Sequence, residues 1–185
     1  NGSFFNVETG ASVVFFQRDG EAVTFSDEIV AEREEAAVAT ERGGDAGVLR
    51  RVGADWERAP RLEDVLASGP LLVWDGRAVD TRTVGFNVTH HPRTALGVTD
   101  NNHLLLVTVD GRAPQAAGMT IRELAWVMRD LGSTSALNLD GGGSTTMWVG
   151  GRGVVNYPSD NGAFDHRGER GVANAVVIFA PDAEQ

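Results

Sequence analysis

Cysteine is absent from this chain of 185 residues, and so is lysine. Without cysteine there is no thiolate nucleophile, no disulfide and no cysteine-ligated zinc, and the sequence carries no redox-compartment signal. Without lysine there is no Schiff base, no serine–lysine dyad and no P-loop lysine. All sixteen basic residues are arginine. Any phosphate contact therefore falls to guanidinium forks, backbone N–H groups or hydroxyls. Positive charge is scarce overall. The net charge of −10 argues against a nucleic-acid duplex as partner. No apolar run is long enough to span a membrane, so no membrane insertion is expected. The length suits one domain with a proper core. Met and a signal peptide are also missing at Asn1, which reads as a processed product, a fragment or a trimmed chain.

What is present centres on Ala136-Leu-Asn-Leu-Asp140-Gly-Gly-Gly-Ser144-Thr-Thr-Met147. An apolar run ends in a carboxylate, and three glycines and three hydroxyl residues follow. Consecutive glycines are costly to order and are used where side chains would obstruct a turn or a ligand. Their N–H groups can form an anion-binding concavity. A tight Asp-Gly turn is the plain alternative. Asn138 and Asp140 share one strand face, with Leu137 and Leu139 on the other. Elsewhere, Val13–Gln17 and Ala22–Phe25 read as strands about a turn at Asp19-Gly20. The Ala- and Glu-rich stretch from Glu28 to Arg42 reads as a helix or a mobile segment, and Leu62–Leu66 as a helical turn. Pro70–Trp74 reads as a strand ending at Asp75-Gly76. Thr94–Thr99 and Leu104–Asp110 read as a hairpin. Thr120-Ile-Arg-Glu123 is a capping box opening a helix that Gly132 closes. Ser135–Asp140, Met147–Val149, Val154–Tyr157 and Val172–Ala180 read as strands. The order predicts an α+β class: a mixed, strand-rich single domain with one or two helices packed on the sheet. His90 and His91 alternate sides of a strand and cannot share a metal, and none of the four histidines reads as catalytic. The four tryptophans, Trp56, Trp74, Trp126 and Trp148, read as core, with Trp148 the one to consider for sugar stacking.

Several segments in order carry a family resemblance. They are Asn1-Gly-Ser-Phe-Phe-Asn6, Pro92-Arg93-Thr-Ala-Leu-Gly97, Leu106–Arg112, Gly118-Met-Thr, Ala136–Thr146, Asn156-Tyr-Pro-Ser-Asp160 and Glu169-Arg170-Gly-Val-Ala-Asn174. Together they resemble the phosphodiester glycosidase family along nearly the whole chain. The resemblance implies one domain over 1–185, N-terminally incomplete, with 28–61 an insertion or mobile segment. Either the missing N-terminal strands come from another fragment or Asn1 is displaced. It implies hydrolysis of the anomeric C–O bond of a sugar-1-phosphodiester, in a secreted or cell-envelope protein. Asp140, Glu169 and Arg93 are the catalytic candidates. Arg112 and Arg170 stand behind Arg93 as phosphate ligands. Gly141, Gly142, Gly143 and Ser144 would donate N–H and hydroxyl groups, and Asn1, Asn138 and Asn174 would bind sugar hydroxyls. Thr94 and Asp110 complete the substrate-binding set. No cofactor is required and no metal ligand set is expected, although loop oxygens near Asp160 could hold a structural Ca²⁺. Two alternatives stay open: a non-catalytic binding module for anionic cell-wall or surface glycans, and a metal-dependent phosphodiesterase cleaving P–O.

Overall fold

The computed structural model describes residues 1–26, 33–51, 61–83 and 85–179. Among the described residues, two five-stranded sheets and one α-helix stack in layers. The first sheet is built from β1 (Phe16–Arg18), β2 (Glu21–Thr24), β3 (Ala36–Glu41), β4 (Ala46–Arg50) and β5 (Leu62–Ser68), in the order β2-β1-β5-β3-β4. The second comprises β6 (Leu71–Trp74), β7 (Arg77–Ala78), β8 (Arg93–Thr99), β9 (Leu104–Val109) and β10 (Ser133–Asn138), ordered β7-β6-β10-β8-β9. Helix α1 (Ile121–Asp130) packs on the second sheet, and β11 (Trp148–Val149) pairs with β12 (Gly153–Val154) as a short hairpin. This is the expected strand-rich α+β domain.

Period-two alternation divides the core. Ala36, Val38 and Val48 of the first sheet meet Leu71, Leu96, Val98 and Leu137 of the second. Ala37, Ala39, Val65 and Ala67 point the other way and are covered by Val14 and Phe15. On the far face of the second sheet, Leu72, Ala95 and Ala136 receive Ile121, Leu124, Ala125 and Met128 of α1. The helix starts where its sequence dictates. Thr120 accepts from the Glu123 N–H and Glu123 bonds back to the Thr120 N–H, a complete capping box. Gly132 follows with a φ of 92°, the left-handed end that favours glycine.

Several expectations are corrected. The Ala-rich stretch is not helical where described: residues 36–41 form β3, in the interior of the first sheet between β5 and β4. Small side chains buried on both faces outweigh alanine's helix preference. Residues 28–32 lie outside the described residues. Leu62–Leu66 is not a helical turn but part of β5, whose Thr40–Asp64 contact and ladder to β3 hold it extended. Val172–Phe179 is not a strand. Val172, Asn174 and Val176 alternate inward as expected, yet among the described residues the segment's backbone–backbone tie is one bond, Val176 N–H to Asn1 O at 3.4 Å. Ala180 lies outside the described residues. Trp126 is 47% exposed on the outer face of α1 rather than in the core, and Trp56 falls outside the described residues.

Gly97 sets the spacing between β8 and α1. A Cβ there would overlap Ser133 Oγ and lie 2.8 Å from Met128 Cε. Gly97→Val is therefore expected to destabilise the fold by about 1–3 kcal/mol through overpacking, read as a lower urea midpoint at unchanged slope. An unshifted midpoint would show that the helix can retreat freely.

Candidate active site

Strand β10 delivers the central carboxylate. Leu139 N–H bonds to Thr94 O and Asp140 N–H to Gly2 O, both at 2.9 Å, so Asp140 leaves the sheet between β8 and the first residues of the chain. Asn1 completes this junction. Its Nδ2 donates to Asp140 O at 2.7 Å, and its Oδ1 accepts from Thr94 Oγ1 at 2.9 Å and from Thr146 N–H at 3.3 Å. Asp140 itself is largely withdrawn from water, and burial raises its carboxyl above the ordinary aspartate range. The Ser144 hydroxyl, the Gly141 N–H, Arg170 and Arg33 oppose that rise.

Each glycine of the loop makes room for one segment of the site. A Cβ on Gly141 would lie 2.8 Å from Pro92 O and 3.8 Å from Arg93 Cδ. On Gly142 it would lie 2.8 Å from Arg112 Nη2, and on Gly143 it would overlap Arg170 Nη2 and Asp160 Oδ1. The three arginines proposed from the sequence thus all reach residues 141–143. The loop's N–H groups are less available than expected. Gly142 donates to Pro92 O, Ser144 to Gly141 O, Thr145 to Gly142 O, and Gly141 to Asp140 Oδ1. Buried backbone donors must be satisfied, and here the turn itself and Pro92 O satisfy them.

Arg93 is buried, with 1% relative exposure. Its Nε donates to Met119 O at 2.8 Å, and its Nη2 to Phe86 O at 2.6 Å and Thr89 O at 2.9 Å. Its guanidinium carbon lies 4.4 Å from the centre of the Phe86 ring. Burial, then the charge of Arg112, lower its pKa to about 10, so it remains cationic at neutral pH. Arg112 is exposed and holds a φ of 59°, a region that costs a non-glycine residue roughly 1–2 kcal/mol. Among the described residues neither arginine has a carboxylate partner. Arg170 differs, because it pairs with Asp160.

Other predicted residues serve the frame. Asn138 Nδ2 donates to Gly69 O and Leu139 O. Asn174 Oδ1 accepts from Ser3 N–H at 2.6 Å and so pins the first residues. Asp110 Oδ1 accepts from Tyr157 N–H at 2.8 Å and holds the loop after β12. Glu169 is exposed and enters no hydrogen bond or ion pair with the described residues. Trp148 is 67% exposed on β11. Three further residues belong to the site. Asp160 was read from the sequence as part of a motif and as a possible calcium position, and His91 as an ordinary histidine. Phe86 was not singled out. The His91 ring stacks on Phe86 at 4.0 Å, its Nε2 lies 2.8 Å from Thr89 Oγ1, and its Nδ1 lies 3.5 Å from Arg112 Nη2. Its position directly before Pro92-Arg93 was the available signal. No group of three His, Asp or Glu among the described residues could hold a metal. Both Asp160 oxygens face Arg170.

Burial, followed by Arg93, Arg112 and His90, lowers the His91 pKa. Removing a nearby cation favours protonation. Arg112→Ala should therefore raise the His91 midpoint, followed by imidazole NMR. A midpoint that stays put would separate Arg112 from the histidine.

Four relatives share this arrangement of sheets or its sequence. Mouse N-acetylglucosamine-1-phosphodiester alpha-N-acetylglucosaminidase is 27% identical over 98% of this chain and 37% of its own length. The SPbeta prophage-derived uncharacterized protein YomE of Bacillus subtilis is 33% identical over 72% of this chain and 20% of its own. The zebrafish N-acetylglucosamine-1-phosphodiester alpha-N-acetylglucosaminidase catalytic domain, auto-inhibited by its pro-peptide, superposes with a TM-score of 0.71 at 26% identity, covering 86% of this chain and 55% of that one. A provisionally named exported protein of Burkholderia pseudomallei matches at 35% identity and a TM-score of 0.52, over 70% of this chain and 28% of that one. This chain spans well under two thirds of each. The sequence profile of the phosphodiester glycosidases matches residues 1–179, a span that includes Asp140, the glycine loop and all three arginines, and the chain belongs to the phosphodiester glycosidase family.

Proposed function

We propose that this protein hydrolyses the anomeric C–O bond of a sugar-1-phosphodiester, releasing the sugar and a phosphomonoester. One observation carries the reading. Arg93 and Arg112 meet the glycine loop without a carboxylate partner among the described residues, beside a carboxylate that burial has made reluctant to ionise. Two adjacent cations repel each other, and a bound phosphate relieves that repulsion. Family membership supports a hydrolase of sugar phosphodiesters in general.

In the proposed reaction the phosphate lies against Arg93 and Arg112. The C1–O bond breaks with its electron pair leaving on the phosphate oxygen. Phosphate is a good leaving group because the monoester's last pKa is about 6, so the fixed cations do most of what a general acid does elsewhere. Asp140 stabilises the oxocarbenium-like centre or attacks it, and water supplies the hydroxyl that ends on C1. His91, neutral near pH 7, keeps its Nδ1 toward Arg112 and adds no competing positive charge. The proposed location is the cell envelope or outside the cell, supported by the substrate class and by the Burkholderia relative. No described helix is long and apolar enough to cross a membrane.

The engagement of Arg93 and the loop amides by carbonyl oxygens favours one competing reading, a glycan-binding module without turnover. Hydrolysis of a panel of sugar-1-phosphodiesters in labelled water separates the two. The expected result is sugar release that resists EDTA, with label on C1, and a fall of about a thousand-fold or more in Asp140→Asn. Saturable binding without release, unchanged in the variant, would sink the enzyme. Label in the phosphate would instead mean P–O cleavage. Asp140 must be ionised to act and its pKa is raised, so activity should fall as pH drops through a midpoint above the ordinary aspartate value of 3.8. An acid limb below that value would exclude Asp140 as the titrating group.

A further inference from the structure

The three arginines at the glycine loop are not equivalent. Arg170 is the one with a carboxylate partner among the described residues. Its Nη2 donates to Asp160 Oδ1 at 2.9 Å, and its Nε lies 2.6 Å from Oδ2, off the hydrogen-bond direction. The pair sits on Gly143, where any side chain would collide with both partners. The same guanidinium acts on Asp140, which also faces Arg33. One cation therefore acts on two carboxylates.

Asp160 is itself held firmly. Its N–H donates to Gly168 O at 3.2 Å. The loop carrying it is tied to β9 through Asp110 and Tyr157, and the Tyr157 ring stacks on Phe164 at 4.0 Å and lies 4.3 Å from His166. Asp160 can thus aim Arg170 rather than follow it. An arginine already paired with a carboxylate also attracts a phosphate less than an unpaired one.

We propose that Asp160 is a positioning residue that holds Arg170 on Gly143 beside Asp140, reserving it for the reacting carboxylate and leaving the phosphate to Arg93 and Arg112. This gives the site a direction. The phosphate lies over the Gly141–Gly142 end and the anomeric carbon over the Gly143–Ser144 end. The proposal rests on the reading of Asp140 as the reacting carboxylate, but its test does not require turnover.

The test is a carbon-13 NMR titration of the Asp140 carboxyl in the wild type, Asp160→Asn, Asp160→Glu and Arg170→Gln, with Asp80→Asn as a surface control. Asp160→Asn removes a negative neighbour and frees Arg170 for Asp140. The midpoint should fall by about half a unit or more. Arg170→Gln should raise it, Asp160→Glu should stay near the wild type, and the control should not move. In turnover assays, Asp160→Asn should lower kcat about tenfold with KM within about twofold, because the phosphate contacts remain. Midpoints unmoved by either charge removal would overturn the proposal, as would a raised KM at unchanged kcat. Should Asp160→Asn fail to fold, the Arg170→Gln shift decides alone. If the wild type hydrolyses nothing while the midpoints move as expected, the hydrolase reading fails and the positioning role stands. If turnover is present and the midpoints are fixed, the positioning role fails by itself.

Discussion

The site depends on the absence of side-chain volume at three consecutive positions. Gly141, Gly142 and Gly143 let Pro92 and Arg93, Arg112, and the Arg170–Asp160 pair approach one short stretch of backbone. Any side chain would push these groups outward, most of all at Gly143, where it would overlap both members of the pair. Like-charged groups drift apart unless something rigid opposes them, and here the backbone does. Arg93 is held by carbonyls of the Phe86–Thr89 turn and by Met119, Arg112 by a left-handed backbone, and Arg170 by Asp160. Three different restraints put three permanent cations on one loop in a protein of net charge −10. Long-range attraction for an anion is thus weak, and capture is a local matter.

Much of this was legible in the sequence where local chemistry decides the outcome. The β8–β9 hairpin, the turn at Asp75-Gly76, the capping box of α1, its Gly132 stop and the glycine loop itself follow from residues close together in the chain. The failures share a cause. β3 is made of residues that prefer a helix, and only its neighbours β4 and β5 make it a strand. β5 is buried along most of its length, so it lacks the alternation that marks a half-exposed strand. Residues 172–179 have the alternation but gain almost no ladder. Periodicity reports which side is buried and not whether a partner strand is there.

The site divides in the same way. Asp140, the glycines and the arginines could be named from motifs, because each needs a particular residue type at a particular place. Whether an arginine is free or paired depends on distant residues. Asp160 lies ten positions from Arg170, and His91 lies 21 positions from Arg112. Asn138 and Asn174 have the chemistry to bind a sugar, but their amides are engaged by Gly69 O and by Ser3 N–H. Residue type gives capacity, and only packing says where that capacity is used.

The junction at Asn1 bears on the order in which the protein matures. Its bonds to Asp140 O and to Thr146 close loops of 139 and 145 residues. Contacts so distant in sequence form late, after the intervening sheets have brought their ends together. During synthesis, a chain that has folded its first sheet still lacks Asp140, the glycine loop and all three arginines. The proposed site should then be completed in a single late step.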